Sequence, residues 1–445
     1  MTEVPTPKTP PPSPEPAPSP SPSPPPRSRV LPDTRALAVP AYRRLFVGQA
    51  VTVVGSQLTV VAVQQQIYDL TGSSAWVGAA SFVALIPLVT FGLLGGAIAD
   101  THDRRIILVL SSTGIALTSV GLWVNALIGG GSVIVVFAML ALQQGLFALN
   151  SPARGAVIPR LVPADLVPGA NALSMTVFSV GVLLGPLLAG VLLPTVGLGW
   201  LYLIDAVGLT AVVWASYRLP AMPRLGGPAA QRARVGEGLR YLRGRDVLLL
   251  TFVVDILAMV LGMPRALFPQ MAAETFGGPA QGGIQLGLLN LGLGLGAAIG
   301  GLTGGWIQRV QRQGLAIIVA IVVWGLAMVG FGLSTSIWIA VGFLAVGGWA
   351  DMVSAVYRTT VLQLSATDEM RGRMQGVFLV VVAGGPRVAD LLHGLVADAT
   401  STEIAVVGGG VGVVVTVVTV AFVRPALLRY RAGDAAGVAP EAVNP

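Results

Sequence analysis

The chain has no cysteine, which rules out disulfides, thiolate metal sites and Cys-based redox motifs. Histidine is nearly as scarce: His102 and His393 are the only two, so a histidine-cluster metal site is excluded as well. Lys8 is the only lysine, so no Gly-x4-Gly-Lys-Ser/Thr phosphate loop exists and an ATP-driven pump in one chain is not expected. Charge is thin throughout: 11% of the 445 residues are charged, against about 25% in soluble domains. Apolar residues take up the room, at 54% of the chain with a mean hydropathy of +0.78. A chain this apolar has no way to hide its surface in water, so an all-α membrane protein is expected.

Residues 1–41 are dominated by Pro and Ser and include the run from Pro10 to Pro26. Such a segment buries no core, and a disordered or polyproline-II-like cytoplasmic tail is expected. It lacks the apolar stretch of a signal peptide, so the first helix is expected to stay uncleaved. From Leu45 onward, apolar runs of about 20 residues recur, each enough to cross roughly 30 Å of hydrocarbon. The expected spans are 45–68, 75–98, 105–125, 133–150, 169–193 and 200–218, then 247–269, 284–306, 314–333, 337–357, 374–397 and 403–423. They divide into two six-helix bundles, 42–218 and 246–423, joined by a basic linker at 219–245 and followed by a tail at 424–445.

The cations orient this arrangement. Arg43 and Arg44 precede the first span, Arg104 and Arg105 follow the second, and Arg154 and Arg160 follow the fourth. The linker region carries seven Arg, from Arg218 to Arg245, and later groups begin at Arg309, Arg358 and Arg424. With twelve crossings these groups fall on one side, and only Arg265 and Arg387 lie elsewhere. Cytoplasmic loops retain Lys and Arg, so both termini are expected inside, in the plasma (cytoplasmic) membrane. This placement accounts for the net charge of +7 without a nucleic-acid partner. The lipid bilayer and a small-molecule substrate are the expected partners, and a monomer is expected.

An internal repeat is visible. Arg154 is followed after eight residues by Pro163, Ala164, Asp165 and Leu166; Arg358 is followed at the same spacing by Thr367, Asp368, Glu369 and Met370. Parallel six-helix halves of one transporter class have this relation. The loop after the second span carries Gly96, Asp100, Arg104, Arg105 and Leu108. These residues resemble the loop signature of the major facilitator superfamily, with Thr101 and Asp103 as departures. An acid beside a basic pair at a helix end can latch one gating state, so this is expected to be a gating loop, with His102 a solvated loop residue. The fifth span carries Gly181, Gly185, Pro186 and Gly190, which look like the antiporter signature of that superfamily, with Ala172 and Ala189 replacing two Gly. Small residues there permit close helix packing and a bend.

Longer strings narrow the resemblance. Pro152-Ala153-Arg154, Ile158-Pro159-Arg160-Leu161-Val162-Pro163, Gly262-Met263-Pro264-Arg265, Asp351-Met352-Val353-Ser354 and Gly384-Gly385-Pro386-Arg387 are similar to the enterobactin-exporter-type branch. The resemblance covers about Ala41 to Arg424. It implies a proton-driven exporter, an antiporter of a siderophore or another small molecule, with the proton gradient as energy source and no cofactor. Multidrug efflux by the same fold is the alternative within transport. A non-transporting membrane sensor or scaffold is the competing class. No enzymatic activity is expected.

Charges within a bilayer face a cavity, pair or work. Here they are Asp205, Asp255, Asp351, Arg387, Asp390 and His393. In this superfamily spans 1, 4, 7 and 10 line the central cavity, which makes Asp255 and Asp351 candidates for proton coupling; Arg387 and Asp390 are further candidates. Each Asp can equally be locked in a pair with Arg265, Arg358 or Arg387, and the sequence leaves both readings open. Gln49, Thr52, Ser56 and Thr59 form a polar stripe on the first span, and Gln143, Gln144 and Asn150 add to it from the fourth. Gln49, Ser56, Gln143 and Gln144 are the expected polar lining, although interhelical hydrogen bonding would use the same residues. Gly292, Gly296, Gly300 and Gly304 form a ladder that predicts a close-packed helix face.

Overall fold

The computed structural model describes residues 34–101, 103–128, 131–220, 246–280, 282–365 and 368–431, with the isolated residues 240 and 242. Side chains of 94–101, 364–365 and 368–379 are not among those described. Residues 1–33 and 432–445 of the expected tails, and most of the linker at 219–245, therefore lie outside the described residues, whereas Thr34–Ala38 of the expected N-terminal tail forms a 3-10 helix.

Twelve helices among the described residues are long and apolar enough to cross a membrane. They are α1 (Pro40–Thr71), α2 (Ser74–Thr101), α3 (Arg104–Leu127), α4 (Val133–Leu161), α5 (Val167–Val196) and α6 (Leu198–Tyr217). The second set comprises α7 (Asp246–Gly262, continued in shorter pieces to Thr275), α8 (Ile284–Thr303), α9 (Gln313–Gly332), α10 (Ile337–Ser365), α11 (Asp368–Ala399) and α12 (Thr402–Val423). Local chemistry sets several ends. Pro40 opens α1, where its missing N–H costs nothing, and Gly72 closes it in the left-handed region at φ 62°. Ser401 caps α12 by accepting the Ile404 N–H at 3.1 Å.

In the first bundle α1 packs on α5 and α6, α4 on α2 and α3, and α3 on α6. In the second, α7 packs on α11 and α12, α10 on α8 and α9, and α9 on α12. Each pairing recurs six helices later. The bundles meet through α2 with α11 and through α5 with α8, contacts that the same pseudo-two-fold relation exchanges. The internal repeat is therefore built into the fold. The starts and ends of α4 and α10 are separated by the same offset that separates Arg154 from Arg358.

Two of the sequence expectations need correction. Arg154, Arg160 and Arg358 do not lie in loops: α4 and α10 continue through them to Leu161 and Ser365. Pro152 and Pro159 are accommodated within α4, because a proline removes one helical hydrogen bond and neighbouring groups make up the loss. The seventh span, by contrast, is interrupted. α7 stops at Gly262, Arg265–Leu267 is a 3-10 turn, and Met271–Thr275 is a π-helical turn. Pro264 and Pro269 withhold helix donors here.

Inside the first bundle, Asp205 of α6 accepts hydrogen bonds at Oδ2 from Thr59 of α1 and Ser119 of α3, both at 2.8 Å. Gln143 of α4 donates in turn to Ser119 at 3.4 Å. Asn150 donates to Ser111 and Ser112 of α3 at 2.7 and 3.0 Å. These polar groups tie helices together where water is absent.

Candidate functional site

The intramembrane charges of the second bundle fall into two places. In the first, Arg358 of α10 ion-pairs through Nη1 with Asp255 of α7 and lies 3.3 Å through Nη2 from Asp351 of its own helix. Asp351 and Arg358 are two turns apart on one helix face, which makes the contact possible. Arg358 and Asp255 are almost wholly buried, whereas the Asp351 side chain is 37% exposed. A gap of about 10 Å³ beside them, bounded by Met259, Met263, Trp324 and Ser354, has the size of one water. Two carboxylates sharing one guanidinium leave the group one negative charge in excess when both are ionised.

The second place is a cavity of about 190 Å³ between the bundles. Its polar lining is Gln64 of α1, Ser81 of α2, Gln144 of α4, Arg265 from the interrupted span, and Arg387 and Asp390 of α11. Arg387 donates from Nη1 to the Ala383 carbonyl at 2.8 Å and from Nη2 across the bundle boundary to Gln144 Oε1 at 3.1 Å. Asp390 Oδ1 accepts the Ala266 N–H at 3.1 Å, so α11 grips the interrupted span at its turn. A non-helical backbone at membrane depth is tolerated where it lines a cavity, which is the situation of Arg265.

His393 does not join this group. Residues three apart on a helix drift by about 60° per step, so two steps turn it well away from Arg387. It is buried, its Nδ1 lies 2.9 Å from the Ala389 carbonyl, and Nε2 packs against Gly409 of α12. His393 is thus an internal packing residue.

At the end away from the termini, a set of hydrogen bonds closes the space above the cavity. Tyr68 donates to Glu274 at 2.7 Å, Ser74 to Gln270 at 2.8 Å, and Gln65 to the Ala280 carbonyl at 2.8 Å. Asp398 accepts from the Ser73 hydroxyl and, at 3.1 Å, from the Ser74 N–H. Small residues let the helices cross closely just below. A side chain on Gly78 of α2 would overlap the Asp390 carbonyl, and one on Gly394 of α11 would meet the Ser74 carbonyl.

The helix 5 motif sits on the equivalent crossing. Gly181 and Gly185 pack on Val53 and Gln57 of α1; Gly190 faces Gly283 and Gly287 at the start of α8, and Gly287 lies under the Pro186 carbonyl. The motif therefore reaches both the other bundle and a cavity helix. In the candidate gating loop, Arg104 donates to the Ala156 carbonyl at 3.3 Å. Arg105 donates to the Tyr217 carbonyl at 2.6 Å and stacks over the Tyr217 ring. Gly96 and Asp100 fall within the end of α2, not in a loop, and the Asp100 side chain lies outside the described residues. Of the expected polar lining, Gln144 reaches the 190 Å³ cavity, while Gln143 turns to α3. Gln49 and Ser56 share the helical face of Val60 and Gln64, below the cavity, with the Ser56 hydroxyl donating to the Val53 carbonyl at 3.0 Å.

Sequence reasoning offered Arg265 only as an ion-pair partner, and passed over Ser81, Tyr68, Glu274 and Asp398 altogether. The available signal was the Gly262-Met263-Pro264 interruption beside an uncompensated arginine, since broken spans mark binding sites in transporters.

Comparison with known proteins follows the same lines. Residues 34–441 match a family model described as transmembrane secretion effector. The chain is 30% identical over 395 residues to the enterobactin exporter EntS of Citrobacter koseri, covering 88% of this chain and 94% of that protein. To the enterobactin exporter EntS of Salmonella typhi it is 31% identical over 401 residues, with the same coverage. Among solved structures, the nucleoside transporter NupG superposes with a TM-score of 0.70 at 14% identity, covering 88% of this chain and 99% of that one. A D-xylose-proton symporter superposes with a TM-score of 0.65 at 13% identity, covering 85% and 97%. At these identities the structures establish the fold alone.

Proposed function

Because the chain belongs to the major facilitator superfamily, among its transmembrane secretion effectors, we propose that it exports a siderophore or similar small molecule by exchange for protons. The observation that carries this reading is the charged cavity between two pseudo-symmetric bundles, closed at the end away from the termini. Bundles rocking about such a cavity alternate its exposure between the two sides. The arginines at the terminus-bearing ends support a cytoplasmic position for both termini under the positive-inside rule, and with that orientation the closed end faces outward. The relatives' names supply the cargo class, and the fold is one in which a cavity can load from the cytoplasm.

Coupling is assigned to the Arg358 group. Asp351 is the half-exposed member and takes the proton, while Asp255 keeps the buried ion pair. One proton cancels the excess negative charge, which removes the cost of enclosing that charge away from water. The loaded group then favours the state in which α7 and α10 close round it. Arg387 and Asp390 act in the cavity that holds the cargo.

Culture supernatants of deletion and complemented strains, compared by untargeted mass spectrometry under iron limitation, test the cargo class. A siderophore-like compound is expected to fall in the deletion strain's medium and rise inside its cells. Unchanged supernatants would overturn siderophore export and move the assignment to drug or metabolite efflux.

A further inference from the structure

The 190 Å³ cavity holds two arginines and one carboxylate, with no second acid on its lining among the described residues. Asp390 is already engaged by the Ala266 N–H, and Arg387 by Gln144 and the Ala383 carbonyl. Arg265 is different. It projects from the interruption of the seventh span with an exposed side chain, and Asp390 acts on its guanidinium through charge, with no hydrogen bond or ion pair within 4.0 Å among the described residues. The ionised lining carries one positive charge in excess. Beyond the neutral polar Gln64, Ser81 and Gln144, the wall is apolar, with Val60, Val63, Ile67, Val77 and Leu140.

We propose that this cavity is an anion-binding subsite in which Arg265 and Arg387 hold a carboxylate or phenolate attached to an apolar, ring-sized group. Guanidinium is suited to this task, because its planar fork matches an oxyanion and stays charged at any physiological pH. The volume is below the roughly 300–1,000 Å³ of a pocket that encloses a whole drug-sized ligand. The subsite therefore takes one acidic arm of a larger cargo. Asp390 positions Arg265 by fixing the adjacent Ala266 N–H, and Gln144 positions Arg387 from the other bundle. Occupancy would thus be sensed by groups from both halves of the carrier. This inference rests on the export reading for the identity of the occupant, but it can be tested by binding alone.

The test uses full-length protein in lipid nanodiscs and equilibrium dialysis with labelled salicylate, with the neutral analogue salicylamide for comparison. Salicylate is expected to bind about tenfold more tightly than salicylamide, the scale of a charge-assisted hydrogen bond. Arg265→Gln should bring salicylate down to the salicylamide level, and Arg265→Lys should restore part of the preference. Thermal melting checks that the variants are folded, which the exposed position of Arg265 favours. Equal binding of the two probes by the parent protein, or unchanged salicylate preference in folded Arg265→Gln, would overturn the proposal. Failure here with proton-driven export intact would leave the function standing with a cargo of other charge. Arginine-dependent salicylate binding without any export would sustain the subsite and remove the proposed function.

Discussion

Replacing Arg358 by glutamine is expected to destabilise the protein by about 3–5 kcal/mol, the usual cost of stripping one partner from a buried ion pair. Asp255 is 2% exposed and would be left without its cation in the middle of the second bundle. The double variant Arg358→Gln/Asp255→Asn removes both charges and should recover most of that loss. Reversible unfolding of the purified protein in mixed micelles measures both. If single and double variants are equally unstable, Arg358 acts by filling space, and the charge account of this group is wrong. The same pair of variants separates stability from transport, because the double variant is folded yet has lost the guanidinium that Asp351 shares.

Gly296→Val is expected to separate α8 from α10. A side chain at Gly296 would overlap the Ala345 carbonyl oxygen, and backbone cannot yield as a flexible side chain does. Gly348 of α10 makes the reciprocal approach to the Leu293 carbonyl. Overpacking typically costs about 1–3 kcal/mol, and a clash with backbone on both helices belongs at the top of that range or above it. Gly301→Val is the control: it lies one residue outside the ladder, where only the end of Met352 comes near, and should be nearly neutral. Comparable loss of folded protein in the two variants, measured by size-exclusion profile after heating, would contradict the close-packing account.

The parts of this molecule that could be read in advance are those written in local periodicity. Apolar runs located the spans to within a few residues at α3, α6, α8, α9 and α12, because lipid imposes a minimum length on each one. The ladder from Gly292 to Gly300 does meet α10, as its four-residue spacing implies. The extra turns of α4 and α10 were hidden because they leave the apolar slab, where hydropathy no longer marks a helix. The outer closure was hidden for another reason. Ser73 and Asp398 are 325 residues apart, and nothing near either residue announces the other. The site shows the same division. Asp255, Asp351, Arg387 and Asp390 stood out as charges in apolar runs, but their separation into an Arg358-centred group and an inter-bundle cavity depends on helix rotation. His393 is two three-residue steps from Arg387, and the drift of the helix over those steps takes it to α12 instead.

Proton exchange is the central claim, and everted membrane vesicles test it most directly. In them the cytoplasmic face points outward, so export appears as uptake, and an acidic lumen supplies the driving gradient. Uptake of the compound that accumulates in deletion cells should rise with the imposed pH gradient, collapse on adding a protonophore, and lose its gradient dependence in Asp351→Asn. Uptake at the same rate with and without the gradient, in parent protein and Asp351→Asn alike, would contradict it.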